Sequence, residues 1–278
     1  MLIKSFSKIN LTLKVISKSK GSLHKIQSLY CWIDLFDKIR ITKIKKNQDE
    51  INFKGPFSKL IKKKDNSVIN LLQKLRQLNL ISGYYSITVL KNIPVFGGLG
   101  GGTSNAAFIL KYLLKNKIKH NLIEKFEGFI GSDLKLFFTR QGFLKDLRTI
   151  IFLKRRQNFF FVLAQPKIKC STREIYSKVK KFSKKEIFNK NILNSRNKFI
   201  DFLSKNRNDL QFIVERKYPI LKRLLKDIKN EEGCCFSRMT GSGSVCYGLF
   251  NDKIDAKNAL NKLKKKYPKI WFSFAKTV

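Results

Sequence analysis

Pro94-Val95-Phe96-Gly97-Gly98-Leu99-Gly100-Gly101-Gly102-Thr103-Ser104-Asn105-Ala106-Ala107 is the stretch on which the reading of this chain turns. Five glycines stand in the six positions from Gly97 to Gly102, and two hydroxyl residues and a helix-forming run follow. Glycine lets backbone N–H groups approach an anion with no Cβ in the way. The first turn of the helix adds unpaired N–H groups and the positive end of its dipole. Thr103 and Ser104 can bond a phosphate or hold a metal, and Ser104 is the candidate for reaching a magnesium ion. No lysine follows as in GxxxxGK[ST], so this is not a Walker loop, and a GxGxxG match inside such a run carries little weight. The competing reading is a flexible linker. The density of glycine between a strand and a capped helix favours a phosphate cradle.

Outward from the loop, Ser86–Leu90 is β-branched and apolar and reads as a strand. Ala106, Ala107, Leu110, Leu113 and Leu114 make a helical stripe after it. Residues 2–16 read as a strand, and residues 23–45 as a strand-rich region with a turn bracketed by Asp34 and Asp37. Lys54–Asp65 is a polar, basic loop. Val68, Leu71, Leu72, Leu75 and Leu78 have helical spacing, with Asn66 or Ser67 as the cap. A short helix is expected over 122–130 and an element after Asp133. Asn158–Leu163 reads as a buried strand opening a second domain, beside the basic patch Lys154-Arg155-Arg156. Helices are expected at 174–181, 197–204, 218–229 and 255–265, and strands after Gly241 and over 270–274. Strands and helices mix without a βαβ repeat, so the fold class is α+β, with domains 1–155 and 156–278.

With 278 residues, 43% hydrophobic and 24 of them Phe, the chain is neither disordered nor low-complexity and can build a real core. Its 59 Lys+Arg against 19 Asp+Glu give +40. The charge invites a nucleic-acid reading. The basic residues are spread over every segment, however, and Lys, Ile, Asn and Phe dominate together. Drifted composition or a polyanion partner accounts for that, and no RNP-type aromatic motif or concentrated basic stripe supports a specific RNA-binding protein. The cysteines Cys31, Cys170, Cys234, Cys235 and Cys246 form no CxxC pair, which argues for free thiols in a reducing cytosol. No signal-peptide stretch or long apolar run is present. A cytoplasmic protein without membrane contact is the expectation.

The glycine run resembles the signature loop of the GHMP kinase superfamily, and in detail the branch that phosphorylates a CDP-linked methylerythritol. Four further segments share the resemblance. Ser7-Lys8-Ile9-Asn10-Leu11 is similar to the family's opening A-K-I/L-N-L, and Leu23-His24-Lys25-Ile26-Gln27-Ser28-Leu29 to its G-Y-H-x-L-Q-T. Gly131-Ser132-Asp133 is similar to G-A-D, and Thr240-Gly241-Ser242-Gly243 to S/T-G-T/S-G. The resemblance covers essentially the whole chain. It implies a two-domain GHMP-kinase-like architecture with the active site in the interdomain cleft, ATP and Mg²⁺ as cofactors, and a CDP-linked methylerythritol as substrate. A homoserine- or mevalonate-type kinase is the nearest alternative, and His24 with Gln27 argues against it. Oligomeric state is not legible.

By resemblance, Asp133 is the catalytic base and Lys8 stands near it. A nearby cation keeps a carboxylate ionised and can offset developing phosphoryl charge. Pro94, Gly97, Gly98, Leu99, Gly100, Gly101, Gly102, Thr103 and Ser104 fall on the nucleotide loop, with Lys91 and Asn66 as candidates for the adenine side. Asn10 lines the pocket, His24 contacts the cytosine, and Thr172 and Tyr176 close on the cytidine. Gly241 and Ser242 cover the phosphates. The chain departs from the pattern after Asp133, where Leu134-Lys135-Leu136 replaces V-P-V/F. It departs again at 142–152, which lacks a glycine-rich, Glu-bearing turn, and at Leu23, where the family has Tyr.

Overall fold

Strands and helices mix along the chain without a regular repeat. The structure, a computed structural model, describes residues 2–18, 24–62, 66–115, 117–153 and 157–278. Leu23, Asp65, the patch Lys154-Arg155-Arg156 and the boundary at 155/156 lie outside these residues. The strands are β1 (Leu2–Asn10), β2 (Lys14–Lys18), β3 (His24–Ile44), β4 (Glu50–Lys54), β5 (Tyr84–Leu90), β6 (Gln141–Leu144), β7 (Ile150–Phe152), β8 (Phe160–Gln165), β9 (Cys234–Met239), β10 (Cys246–Phe250) and β11 (Trp271–Lys276). The helices are α1 (Ser67–Gln77), α2 (Gly101–Leu113), α3 (His120–Ile130), α4 (Thr172–Ser177), α5 (Arg196–Lys205), α6 (Gln211–Lys217), α7 (Pro219–Lys229) and α8 (Lys253–Lys266). Among the described residues no helix is long and apolar enough to cross a membrane.

Residue contacts group the chain into two compact units, and the chain enters each more than once. The first holds Met1–Lys8, Leu35–Val95 and Gly100–Arg140, and the second Ile9–Asp34, Phe96–Leu99 and Gln141–Val278.

In the first unit, residues 38–44 of β3 pair antiparallel with β5, and β4 pairs parallel with β5. Side chains alternate across a strand, and Ile39, Ile41, Ile87 and Val89 form the inward row, all buried. Helix α1 buries Val68, Leu71, Leu72 and Leu75, the one-face spacing that the sequence showed. It packs on α2 and α3.

In the second unit, β11, β8, β10 and β9 form an antiparallel sheet in that order. Helix α7 starts with Pro219 and buries Leu221, Leu224, Leu225 and Ile228. It packs on β9 and β10, and α8 on β8, β10 and β11. Residues 28–31 of β3 pair with β6, which forms a hairpin with β7.

Two expectations about strands need correction. Residues 2–16 form two strands, because Leu11 and Thr12 both turn their N–H groups to the Leu29 carbonyl and break the ladder. No turn lies between Asp34 and Asp37, since β3 runs through both. Asp37 is wholly buried, and its Oδ1 accepts the N–H groups of Asn92 at 2.7 Å and Ile93 at 2.8 Å. An acid satisfied this way has no need of a solvent-facing turn. Helix α6 and strands β4, β6, β7 and β9 had no forecast in the sequence.

Candidate active site

The first unit assembles one group of candidate residues around the start of α2. Gly100 caps that helix with φ 70°, and no described side chain caps it, so the opening N–H groups are left for an anion. A Cβ on Gly100 would meet the Phe137 ring at 2.8 Å, and one on Gly101 would meet Ile93 at 2.9 Å. Packing therefore favours glycine at both positions, and φ favours it at Gly100. Lys8, on β1, passes its Cε 3.5 Å from the same Gly100 position. Its Nζ stands 3.2 Å from Asp133 Oδ2, with side chains 3% and 34% exposed.

Asp133 owes its place to the end of α3. The Gly131 N–H bonds the Glu127 carbonyl at 3.0 Å, and Gly131 takes φ 135°, which turns the chain into the 3-10 turn Leu134–Phe138. Asp133 holds the cap position of that turn, yet its carboxylate makes no capping bond. A merely structural aspartate would spend its oxygens there. The turn is fastened on two sides. Lys135 Nζ bonds Glu127 Oε2 at 2.9 Å, and Lys111 Nζ donates to the Phe137 carbonyl at 2.5 Å. Burial pushes the Glu127 carboxyl up, with Lys135 opposing it.

Three candidates in this unit have other employment. Ser104 is fully buried, with Oγ 2.7 Å from Ser5 Oγ and donating to the Phe6 carbonyl at 2.5 Å. Both contacts tie α2 to β1. Lys91 is buried against Asp37 and donates to Asn105 Oδ1 at 2.9 Å. Burial pushes its ammonium below the ordinary lysine range, against the pull of Asp37. Asn66 accepts the N–H groups of Val68 and Ile69 as the cap of α1. Pro94 is buried in the approach to the loop.

The second unit assembles another group. Residues 96–99 lie back to back with the turn 240–245. The Val245 N–H donates to the Gly97 carbonyl at 3.2 Å. A Cβ on Gly98, at φ 72°, would sit 2.3 Å from the Thr240 carbonyl oxygen, and one on Gly241 would sit 3.1 Å from the Gly98 oxygen. Leu99 is buried. The Asn10 N–H donates to Thr240 Oγ1 at 3.0 Å, and its amide to Ser28 Oγ at 2.8 Å. Thr172 Oγ1 and Ser242 Oγ are 2.8 Å apart. The rings of His24 and Tyr176 face each other at 5.1 Å with a 36° tilt. His24 opens β3 and Tyr176 lies on α4, whose cap Ser171 accepts the Glu174 N–H.

Residues 188–269 match the family described as GHMP kinases C terminal. The chain is 38% identical over 283 residues to a 4-diphosphocytidyl-2-C-methyl-D-erythritol kinase of Pelagibacter ubique, covering 99% of this chain and 98% of that one. It is 30% identical to the kinase of the same name from Caldanaerobacter subterraneus subsp. tengcongensis, covering 99% and 96%. This chain belongs to the 4-diphosphocytidyl-2-C-methyl-D-erythritol kinase family. A crystal structure of 4-(cytidine 5'-diphospho)-2C-methyl-D-erythritol kinase matches its fold with TM-score 0.74 at 21% identity over 99% of each chain. The GHMP-kinase fold expected from the glycine loop is the fold found.

Sequence reading missed Asn105, whose amide donates to Asp37 Oδ2 at 2.9 Å and Ser5 Oγ at 3.1 Å. It also missed Asn208, whose amide bonds the carbonyls of Met239 and Gly241 at 2.8 Å each. Asn105 stood inside the kinase signature itself and could have been flagged there. Asn208 lies in a segment with no motif, and no local pattern marks it.

Proposed function

We propose that this chain uses ATP to phosphorylate the 2-hydroxyl of 4-diphosphocytidyl-2-C-methyl-D-erythritol, in isoprenoid precursor synthesis by the non-mevalonate route. The observation that carries the reading is Lys8 beside Asp133, next to the uncapped start of α2. Asp133 accepts the proton of the attacking hydroxyl. Lys8 offsets charge on the phosphoryl group. Gly97 to Gly102 and Thr103 hold the nucleotide's phosphates through backbone N–H groups and a hydroxyl.

The residues present suit a bound Mg²⁺. The ion takes oxygen ligands and leans on nucleotide phosphates, and the partly exposed carboxylate of Asp133 and the Thr103 hydroxyl would be the donors for it, in place of Ser104. When bound, it supplies neutralisation of phosphoryl charge. Asn10, Thr172, Ser242, Gly241, His24 and Tyr176 serve the acceptor, the last two against its cytosine. The domain division at 155/156 and a cytoplasmic location complete the proposal.

The test is ATP consumption with this acceptor, with homoserine and mevalonate as controls, for the wild type and Asp133→Asn. Turnover specific to the CDP-linked acceptor and lost in the variant supports the reading. Turnover on a control acceptor moves the chain to another substrate within the GHMP kinases, and turnover retained in Asp133→Asn removes the base.

A further inference from the structure

Phe96 has φ 56° although it is not glycine, and it is 48% exposed. A Cβ crowds the backbone in that region, so a bulky residue persists there only where its surroundings hold it. Ser244 is what holds it. The Ser244 N–H donates to the Phe96 carbonyl at 3.0 Å, and its hydroxyl donates to the Ile168 carbonyl at 3.1 Å. One residue thereby locks Phe96 to the segment leading into α4. Lys169, the next residue in that segment, is exposed and sets its Nζ 5.6 Å from the centre of the Phe96 ring. Its own carbonyl accepts the Tyr218 hydroxyl at 3.3 Å. An ammonium over an aromatic face is directed by the ring and keeps N–H donors for an anion. Three residues further on is Thr172, bonded to Ser242.

We infer that Phe96 and Lys169 form an anion-recognising edge of the acceptor subsite. Lys169 binds the diphosphate of the CDP-linked acceptor, and Phe96 is the positioning residue that directs the lysine. The inference rests on the reading of Thr172, Ser242, His24 and Tyr176 as the acceptor's residues. Glycine fits φ 56° better than phenylalanine does, so the aromatic ring is held at an expense in stability that its role explains.

The experiment compares the wild type with Phe96→Gly, Lys169→Gln and the exposed neighbour Lys167→Gln as a charge control. It measures calorimetric binding of CDP and of cytidine, steady-state kinetics, and urea midpoints. Lys169→Gln is expected to weaken CDP binding and raise the acceptor KM by about three- to five-fold, leaving cytidine binding and the ATP KM unchanged. Phe96→Gly is expected to do the same while raising the urea midpoint, a combination that a purely structural role does not produce. Lys167→Gln is expected to match the wild type. Equal CDP binding in the wild type and Lys169→Gln overturns the inference, as does a wild type that binds no CDP. Because CDP binding needs no turnover, an inactive wild type that still binds CDP through Lys169 would sink the kinase reading and leave this edge standing.

Discussion

Lys8 and Asp133 meet at 3.2 Å although one lies on the first strand and the other in the turn after α3. The lysine is the buried member and the aspartate faces out. An accessible carboxylate with a cation fixed behind it suits the proton abstraction proposed for Asp133.

Asp133→Asn keeps the shape and removes the proposed proton acceptor. Turnover is expected to fall by about 10²–10⁴-fold with ATP affinity retained. Lys8→Met is expected to lower kcat in a similar way. Steady-state kinetics beside nucleotide-binding titrations check both, and a variant with wild-type kcat refutes the assignment for its residue.

Asp37 and Lys91 form a buried pair on which Asn92, Ile93 and Asn105 also depend. Asp37→Ala leaves an uncompensated ammonium and is expected to destabilise the protein by about 3–5 kcal/mol. The double variant Asp37→Leu with Lys91→Met is expected to recover part of that loss. Urea denaturation measures both, and a midpoint unchanged in Asp37→Ala contradicts the prediction.

Gly98→Ala places a Cβ 2.3 Å from a backbone oxygen at φ 72°. The backbone conformation alone costs about 1–2 kcal/mol, and the clash forces residues 96–99 away from the turn at Thr240. Lower stability and a raised ATP KM are the expected outcome in melts and kinetics. Gly128→Ala, where a Cβ meets nothing within 4 Å, is the comparison and is expected to hold its stability.

Lys111 lies 4.8 Å from the centres of the Phe108 and Phe138 rings. Burial pulls its ammonium down from the ordinary 10.5 to about 8. Between these values the unfolded chain binds the proton that the folded chain has released. Stability contributed by this group therefore rises as pH climbs from about 8 towards 10.5. Lys111→Met is expected to abolish that rise. Urea midpoints for both proteins across this window test it, and parallel profiles would refute it.

The helix faces were legible where one residue type recurs at one spacing. Val68, Leu71, Leu72 and Leu75 on α1 are an example, and Asn66 was one of the two caps expected there. Asp37 was not. A scarce acid in an apolar strand looks like a turn, and its partners at 91–93 and 105 are remote in sequence. Thr103 and Ser104 could not be told apart either. Adjacent helical residues point about 100° apart, and only the packing of α2 on β1 selects Ser104 as the inward one.

By itself the sequence determined the glycine run, the strand before it and the helix after it, because glycine's missing Cβ and apolar periodicity are local properties. It also carried Lys8 and Asp133 as motif residues. Tertiary structure alone decided which polar groups are spent inside. Ser104 and Lys91 went to buried bonds, and Phe96 was turned outward beside Lys169. A buried polar group must find its partner wherever the fold brings one, and no spacing along the chain records which partner that will be.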